Sequence, residues 1–337
     1  MKALVCVGPN EVRIEERENP KAGPGEVLLR IRRVGVCGTD FHIFTGKQPF
    51  FSYPRLIGHE LAGEVVDAPF DSGFRANEIV TVNPYLPCGD CVACRRERPN
   101  CCMRVSVLGV HADGGMTEYL AVPAEAVIPV PGLTLDQAAM VEFLAIGAHA
   151  VRRAQIEGGA RVLVTGAGPI GIGCAMFARI AGAGSVTLLD TSATRLSKAA
   201  ESFGFDSCVV AGPDASAELA QITNGEMFDY VFDATGSAAA MNAGLANVAH
   251  AGTYVLVGLC LDNLTFADPE FHKRETTLLA SRNALHADFE HVIESIRNGA
   301  IPTDLILTHR ANLADLAEGF PALLAEHETV LKAVVTI

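Results

Sequence analysis

A glycine-rich turn between an apolar run and a helical run constrains the fold of this chain more than any other feature. Residues 165–171 read TGAGPIG and close the apolar run Arg161–Thr165. In that context a GxGxxG loop brings the backbone close to a pyrophosphate at the N-terminus of the next helix. A tight turn with no ligand is the alternative interpretation. The predicted dinucleotide contacts in this loop are Gly166, Gly168, Pro169, Ile170 and Gly171.

Asp190 ends the next apolar run, 24 residues after Gly166. A carboxylate at this place accepts hydrogen bonds from both ribose hydroxyls and repels a 2′-phosphate, which favours NAD over NADP. An ordinary capping role before the helix that follows is the alternative. Arg195 lies one helical turn further on and could stack on adenine or attract a 2′-phosphate, so use of NADP stays open.

From about residue 145 onward, apolar runs alternate with alanine-rich helical runs, which predicts a doubly wound, parallel α/β sheet of the Rossmann type. The predicted strands are Arg161–Thr165, Ser185–Asp190, Tyr230–Ala234 and Thr253–Gly258, and predicted helices begin at Pro169, Ser192 and Ala238. Gly258, at the end of its strand, is a further candidate cofactor contact.

The chain before about residue 140 has a different pattern, in which short β-like runs are separated by Gly, Pro and Asp turns. Examples are Glu26–Ile31, Leu61–Val66 and Ile79–Val82. A helix at Ala287–Asn298 and a strand at Leu331–Ile337 have no obvious place in the parallel sheet, so we assign the tail to this β-rich domain. The predicted domains are 1–146 completed by 285–337, and 147–284.

Composition and charge narrow the class of protein further. The chain has 337 residues, 49% of them hydrophobic and 19% charged, which fits about two domains of a compact globular protein. Its formal charge of −13 opposes binding to nucleic acid or to an anionic membrane surface. The uncharged stretches 162–178 and 234–261 are interrupted by glycine, proline or polar residues, so neither is predicted to span a membrane. The short apolar run after Lys2 does not fit a signal peptide, which predicts a cytoplasmic protein.

Five of the ten cysteines fall within residues 88–102, which favours metal binding over disulfides in a chain without an export signal. Four of them follow the spacing C-x2-C-x2-C-x7-C, which supplies a closed tetrahedral zinc site with no place for substrate. Four reduced surface thiols are the alternative, and Cys101 is a spare neighbour. The predicted ligands of this structural zinc are Cys88, Cys91, Cys94 and Cys102.

A second set of metal-binding side chains is dispersed along the first half of the chain. Taken singly, its cysteine would more often be a small core residue and its histidine a satisfied core side chain. Together with a nucleotide-binding fold, one soft, one borderline and two hard ligands indicate a catalytic zinc. The predicted ligands are Cys37, His59, Glu60 and Glu142.

Over its whole length the chain resembles the zinc-dependent medium-chain dehydrogenases, in the branch of the sorbitol and threonine dehydrogenases. The resemblance rests on GVCGTDFH at 35–42, GHELAGEV at 58–65, CGDCVACRRERPNCC at 88–102, DGGMTEYL at 113–120 and GAGPIG at 166–171. It implies a GroES-like, β-rich catalytic domain beside the Rossmann domain, two zinc ions per chain, NAD, and a homodimer or homotetramer. It also implies that the catalytic zinc is surrounded by Cys37, His59 and Glu60.

The resemblance implies further roles around that zinc. Glu142 would bind the metal directly or through water, although Phe143 follows it where relatives commonly have proline. Thr39 matches the hydroxyl that contacts the alcohol in this family and carries its proton outward. His42, three residues on, would continue that relay, for which a hydroxyl and an imidazole are chemically suitable.

Four further stretches are similar to the branch of the family that oxidises L-galactonate: residues 46–60, 105–115, 149–154 and 266–284. In the family the segment matching Ser281, Arg282 and Asn283 lies beside nicotinamide and substrate. Ser281 is thus a candidate cofactor contact, and Arg282 and Asn283 are candidate substrate contacts. A surface position for Arg282 is the equally weighted alternative.

These features predict an enzyme in which zinc acts as a Lewis acid on a secondary alcohol of a sugar acid and NAD accepts the hydride. A dehydrogenase of neutral polyols such as sorbitol, xylitol or galactitol is the alternative substrate class. A zinc-free quinone or enone reductase would lack both sets of zinc ligands. The alternative outside enzymology is a nucleotide-binding sensor whose cysteines form a thiol switch.

Overall fold

A computed structural model of the chain describes residues 1–205, 207–326 and 328–337. The strands are β1 (Lys2–Gly8), β2 (Glu11–Glu16), β3 (Glu26–Val36), β4 (Arg55–Leu56), β5 (Glu60–Asp67), β6 (Ile79–Val82), β7 (Tyr85–Leu86), β8 (Ser106–Val107), β9 (Tyr119–Pro123), β10 (Val127–Pro129), β11 (Arg161–Thr165), β12 (Ser185–Asp190), β13 (Ser207–Val210), β14 (Phe228–Asp233), β15 (Val248–Leu256), β16 (Thr277–Ala280), β17 (Leu307–Asn312) and β18 (Lys332–Thr336). The helices are α1 (Gly38–Phe44), α2 (Val92–Arg95), α3 (Leu135–Ala138), α4 (Val141–Ala154), α5 (Pro169–Ile180), α6 (Ala193–Phe203), α7 (Ala215–Ile222), α8 (Ala238–Gly244), α9 (Asp268–Lys273), α10 (His286–Arg297), α11 (Thr303–Ile306) and α12 (Leu313–Ala325).

The described residues form two compact units, one of Met1–Phe143 with Leu285–Ile337 and one of Leu144–Ala284. In the first unit, a seven-stranded sheet has the order β10-β6-β5-β3-β18-β17, with β9 also paired to β3. β3 alternates as a half-buried strand should, with Val27 and Leu29 in the core and Arg30 exposed. β18 runs antiparallel to β3 and parallel to β17, so the strand predicted at Leu331–Ile337 lies inside this sheet.

The second unit is a six-stranded parallel sheet with the order β13-β12-β11-β14-β15-β16. Because the first strand, β11, lies in the middle of the sheet, the chain winds outward in both directions, and the strand order reverses between β11 and β14. In such sheets, ligands bind outside the carboxyl ends of the strands at this reversal. The predicted combination of a β-rich part with a doubly wound parallel sheet is confirmed.

Element boundaries in the second unit follow the prediction, with local differences. β11 and β12 have the predicted bounds, whereas β15 starts at Val248 and ends at Leu256, so Gly258 lies in the loop after it. A register shift in the pairing of β14 with β15 accommodates this earlier start. α6 begins at Ala193 because Ser192 is its N-cap and accepts a hydrogen bond from Arg195 N–H at 3.3 Å. None of the described helices combines the length and the apolar character needed to cross a membrane.

Candidate metal and cofactor sites

The pairing of β3 with β5 assembles the first cluster of metal-binding side chains. Cys37 follows β3 as the N-cap of α1, while His59 and Glu60 stand at the start of β5, where Glu60 pairs with Gly35. One donor atom from each of Cys37, His59 and Glu60 lies within 4.8 Å of the others. A Cβ on Gly35 would collide with the Glu60 carboxylate, so the glycine makes room for it.

Asp40 ties the two segments of this cluster together, a role that sequence reasoning missed. Its carboxylate is fully buried and accepts hydrogen bonds from Cys37 N–H at 2.9 Å and Gly58 N–H at 3.2 Å. Its Oδ1 also lies 4.0 Å from His59 Nδ1. Burial raises the pKa of Asp40. The signal in the sequence was its place three residues after Cys37, where a short acidic side chain can bond the N-terminus of a helix.

The chemistry of the cluster suits a zinc ion. Thiolate, imidazole and carboxylate are all ligands that zinc accepts in catalytic sites. His59 Nδ1 is buried and has no hydrogen-bond partner among the described residues. Burial lowers the pKa of His59, but the negative groups Cys37, Asp40 and Glu142 raise it well above its ordinary value. This concentration of negative charge around a buried imidazole is what a bound cation would neutralise.

Glu142 lies near the start of α4 and is almost completely buried, 2% exposed. Its Oε1 accepts a hydrogen bond from the Tyr85 hydroxyl of β7. Burial raises the pKa of Glu142 to about 7. Glu142 is not among the three residues whose donor atoms lie within 4.8 Å of one another, so the described geometry leaves it at the edge of the cluster.

Two other predicted residues lie on α1 itself. Thr39 is half-buried in the first turn, two residues after Cys37, and His42 is exposed in the last turn. Residues three apart on a helix share a face, so the hydroxyl and the imidazole are on the same side of α1. Thr39 is therefore the nearer of the two to Cys37 along the helix, and His42 is the nearer to solvent.

The four cysteines of the predicted structural site converge in the loop around α2. Their sulfur atoms are separated by 3.4 Å (Cys88–Cys102), 3.5 Å (Cys91–Cys94), 3.9 Å (Cys91–Cys102) and 4.0 Å (Cys88–Cys94). Four sulfurs at Zn–S distances of about 2.3 Å in a tetrahedron are about 3.8 Å apart, which matches this spacing. Backbone hydrogen bonds from Cys94 and Met103 lower the pKa of Cys91 to about 6, which favours its thiolate. Cys101 is exposed and lies outside the group.

In the second unit, the glycine-rich loop has the geometry of a phosphate cradle. Gly166 has φ of +99°, a conformation that favours glycine, and a Cβ on Gly171 would collide with the Gly166 carbonyl oxygen. Gly168, the N-cap of α5, has no other atom within 4 Å of where its Cβ would lie. Pro169 and Ile170 open the helix. Space at the N-terminus of a 12-residue helix fits the pyrophosphate of a dinucleotide.

Asp190 closes β12 beside this loop, and both of its carboxylate oxygens already accept hydrogen bonds. Oδ2 accepts from Ala167 N–H at 2.6 Å and Oδ1 accepts from Ser192 N–H at 2.7 Å. Asp190 therefore joins the glycine-rich loop to the residue before α6, although the N-cap of that helix is Ser192 and not Asp190. Each carboxylate oxygen has a second lone pair that a ribose hydroxyl could use. Arg195 lies in the first turn of α6.

The remaining candidates lie at the carboxyl ends of the parallel strands. A Cβ on Gly258 would collide with Gly236 N, so this glycine permits the close approach of two loops. Ser281 directly follows β16, and its Oγ is buried without a hydrogen-bond partner among the described residues. Arg282 is exposed, and Asn283 has φ of +52°. Thr165, at the end of β11, has a similarly unpartnered Oγ that sequence reasoning did not single out.

Comparison with known proteins decides the family. The Alcohol dehydrogenase GroES-like domain matches residues 23–132, and the Zinc-binding dehydrogenase domain matches residues 169–298. L-Galactonate-5-dehydrogenase of Escherichia coli K12 is 43% identical over 337 residues, which cover 100% of this chain and 99% of the relative. The chain belongs to the zinc-dependent medium-chain dehydrogenases. The predicted family and enzyme class, an oxidoreductase acting on CH–OH groups, are confirmed.

Two further comparisons bear on this dehydrogenase. The sorbitol dehydrogenase of Bacillus subtilis 168 is 32% identical over 271 residues, 78% of this chain and 76% of the relative. A solved structure described as the short chain alcohol dehydrogenase rspB of Escherichia coli CFT073, with NADH bound, has a TM-score of 0.92 and 30% identity. It covers 100% of this chain and 99% of its own. The dehydrogenase thus shares its fold with an enzyme whose structure contains NADH.

Proposed function

We propose that this dehydrogenase oxidises a secondary alcohol of a sugar acid of the L-galactonate type to a keto acid, with NAD as hydride acceptor. The observation that carries the proposal is the 43% identity to L-galactonate-5-dehydrogenase over the whole chain. The domain of residues 1–146 completed by 285–337 would carry the chemistry, and that of 147–284 would bind the dinucleotide.

Two zinc ions per chain are part of the proposal. Cys37 and His59, with a carboxylate from Glu60 or Glu142, would hold the catalytic zinc, and Cys88, Cys91, Cys94 and Cys102 would hold the structural zinc. When bound, the catalytic zinc supplies a Lewis acid that lowers the pKa of the alcohol, and NAD accepts the hydride. The four-cysteine site has no open position and would only stabilise its loop.

The chain's own residues would handle the proton and the cofactor. Oxidation of an alcohol by NAD releases one proton besides the hydride, and the Thr39 hydroxyl would relay it by accepting the substrate proton while donating its own proton toward His42. His42 would pass it to water, since its imidazole is exposed. At the other domain, the loop Gly166–Gly171 would hold the pyrophosphate, and Asp190 would accept the ribose hydroxyls.

The charge of the substrate distinguishes the sugar-acid proposal, with an anionic substrate, from the polyol alternative, with a neutral one. Arg282 would bind the substrate carboxylate, and a charge-assisted hydrogen bond of this kind contributes about 1.5–3 kcal/mol, roughly ten- to a hundredfold in binding. The formal charge of −13 and the carboxylates of Glu60 and Glu142 oppose an anionic substrate and favour the neutral polyols that sorbitol dehydrogenases oxidise. The hydrogen bond to Arg282 would have to contribute more binding free energy than repulsion by these negative charges costs.

The test is a panel of matched aldonates and alditols, including L-galactonate, with reduction of NAD as the readout. We expect kcat/KM for an aldonate to exceed that for its alditol by about tenfold or more. Arg282→Ala should lower the value for aldonates only. Arg297→Ala, which removes an exposed arginine paired with Glu294, is the matched control and should change neither. Faster turnover of every alditol than of its aldonate would overturn the sugar-acid proposal and leave a polyol dehydrogenase.

A further inference from the structure

A completely buried ion pair adjoins the proposed catalytic metal cluster. Lys332 of β18 is 1% exposed and Glu60 is 0% exposed. The Lys332 ammonium donates hydrogen bonds to both Glu60 oxygens at 2.7 Å, and to the Val36 carbonyl oxygen at 3.3 Å. It also lies 4.2 Å from the centre of the Phe143 ring. Each ammonium N–H therefore has an acceptor, and the charge rests on an aromatic face.

Fold stability alone does not explain this pair. Taking two charges out of water costs about as much as their attraction returns, so a well-packed apolar pair of similar volume is often as stable. The Lys332 ammonium also lies against the ring of Phe143, the residue that directly follows Glu142. Lys332 thus contacts both the Glu60 carboxylate and the ring next to Glu142 in the sequence.

The donors near the metal raise a problem that Lys332 can solve. Cys37, His59, Glu60 and Glu142 would fill a tetrahedral zinc site if all four bound, and a catalytic site needs one open position. Among the described residues, the hydrogen bond from Tyr85 is to Oε1 of Glu142, which leaves Oε2 available to a metal or to its water. Lys332 engages both oxygens of Glu60.

We propose that Lys332 is a positioning residue that competes with the metal for Glu60. By holding both carboxylate oxygens it keeps Glu60 from becoming a permanent ligand, and so keeps a coordination position open for the substrate. The inference rests on the proposed function of the Cys37 cluster as a catalytic zinc site. The Lys332 ammonium has a second effect: its buried positive charge repels a nearby divalent cation and so weakens the binding of that cation.

The experiment measures zinc release from the holoenzyme to a chromogenic chelator. In Lys332→Met, Glu60 is freed to bind the metal and the opposing charge is gone, so release from the catalytic site should be at least about tenfold slower. In Glu60→Gln, the uncompensated ammonium should make release at least about tenfold faster. Zinc held by the four cysteines serves as the internal reference. Lys273→Met removes an exposed lysine that lies 2.8 Å from Glu270 and should leave release unchanged.

The double variant Glu60→Gln with Lys332→Met gives a decisive result even if a single variant fails to fold. It replaces an ion pair by a neutral pair of similar size, which proteins tolerate much better than loss of one partner. If Glu60 is not a permanent ligand, the cobalt-substituted double variant should keep the visible spectrum of the cobalt-substituted parent. A changed spectrum, or single variants that shift release in the same direction, would overturn the inference. Absence of zinc from the Cys37 cluster in the parent enzyme would instead remove the proposed function itself.

Discussion

At the scale of single residues, the partners of each carboxylate distinguish side chains that are chemically alike. Asp40 accepts two backbone N–H groups, Glu60 is bound by an ammonium, and Glu142 is bound by a phenol. Burial raises the pKa of Glu142 to about 7. Asp190 is also buried, and each of its carboxylate oxygens accepts a hydrogen bond from a backbone N–H. The chemistry of each group therefore depends on neighbours that come from distant parts of the chain.

Asp190 supports a prediction at this scale. Asp190→Ala should raise KM for NAD by about tenfold or more, because a charge-assisted hydrogen bond to the ribose is lost, and it should narrow the preference for NAD over NADP. Because Asp190 also bonds Ala167 N–H and Ser192 N–H, alanine would loosen the loop as well. Asp190→Asn keeps one acceptor and serves as the control. Cofactor kinetics that match the parent enzyme in both variants would remove Asp190 from the site.

Spacing alone predicted that the four cysteines converge, because they are close in sequence. Cys37, His59 and Glu60 were predicted as a group only in combination with the nucleotide-binding fold. Lys332 could not be predicted, since it reaches Glu60 across 272 positions of the sequence. Only the pairing of β18 with β3 brings the two together. Asp40 was within reach of sequence reasoning, but a short acidic residue at a helix start is common and does not single out a metal site.

At the scale of elements, the predicted strands were those with strong apolar runs, such as β11 and β12. β16 was missed because its apolar run is only four residues long, too short to separate a strand from a loop by pattern, and it lies at the sheet edge. β17 alternates between half-buried and exposed residues and was also not predicted. Long-range pairing, not local pattern, defines these strands.

Asp136 joins three elements of the first unit and supports a prediction about stability. From α3, it accepts hydrogen bonds from Arg33 of β3 at 2.7 Å and Arg310 of β17 at 2.6 Å. Burial alone would raise its pKa, but these two guanidinium groups hold the pKa of Asp136 below its ordinary value. Asp136→Asn should lower the free energy of unfolding by about 1–2 kcal/mol at pH 7.

The pH dependence of that difference follows from the direction of the shift. A lowered pKa in the folded state contributes stability that is fully present above the unfolded pKa of about 3.9. It disappears as the pH falls through the lower pKa of the folded state. Urea unfolding at neutral and acidic pH should show that the difference in free energy of unfolding between parent and Asp136→Asn becomes smaller in acid. Asp71→Asn, at an exposed loop position, is the control. A gap that widens in acid would contradict the role of Asp136.

At the scale of the whole molecule, metal content separates the two cysteine sets. We predict two zinc ions per chain by elemental analysis, because each set provides a complete site. Cys94→Ser should lose one zinc and lower the melting temperature by several degrees, since metal binding contributes to folding of its loop. Cys37→Ser should lose the other zinc and turnover while the melting temperature stays close to that of the parent. Identical behaviour of the two variants would argue against separate roles.

The interior place of β18 has a consequence for the order in which the molecule is made. A ribosome that adds roughly 5–20 residues per second needs about 15–60 s to travel from Val36 to Lys332, which are 296 positions apart. Throughout that interval, the edge of β3 that later receives β18 has no neighbour, and the Glu60 carboxylate has no counter-ion. The continuous stretch Leu144–Ala284 can acquire its sheet during the same time. The metal cluster is therefore among the last parts of the nascent protein to be completed, and its ammonium arrives with the final strand.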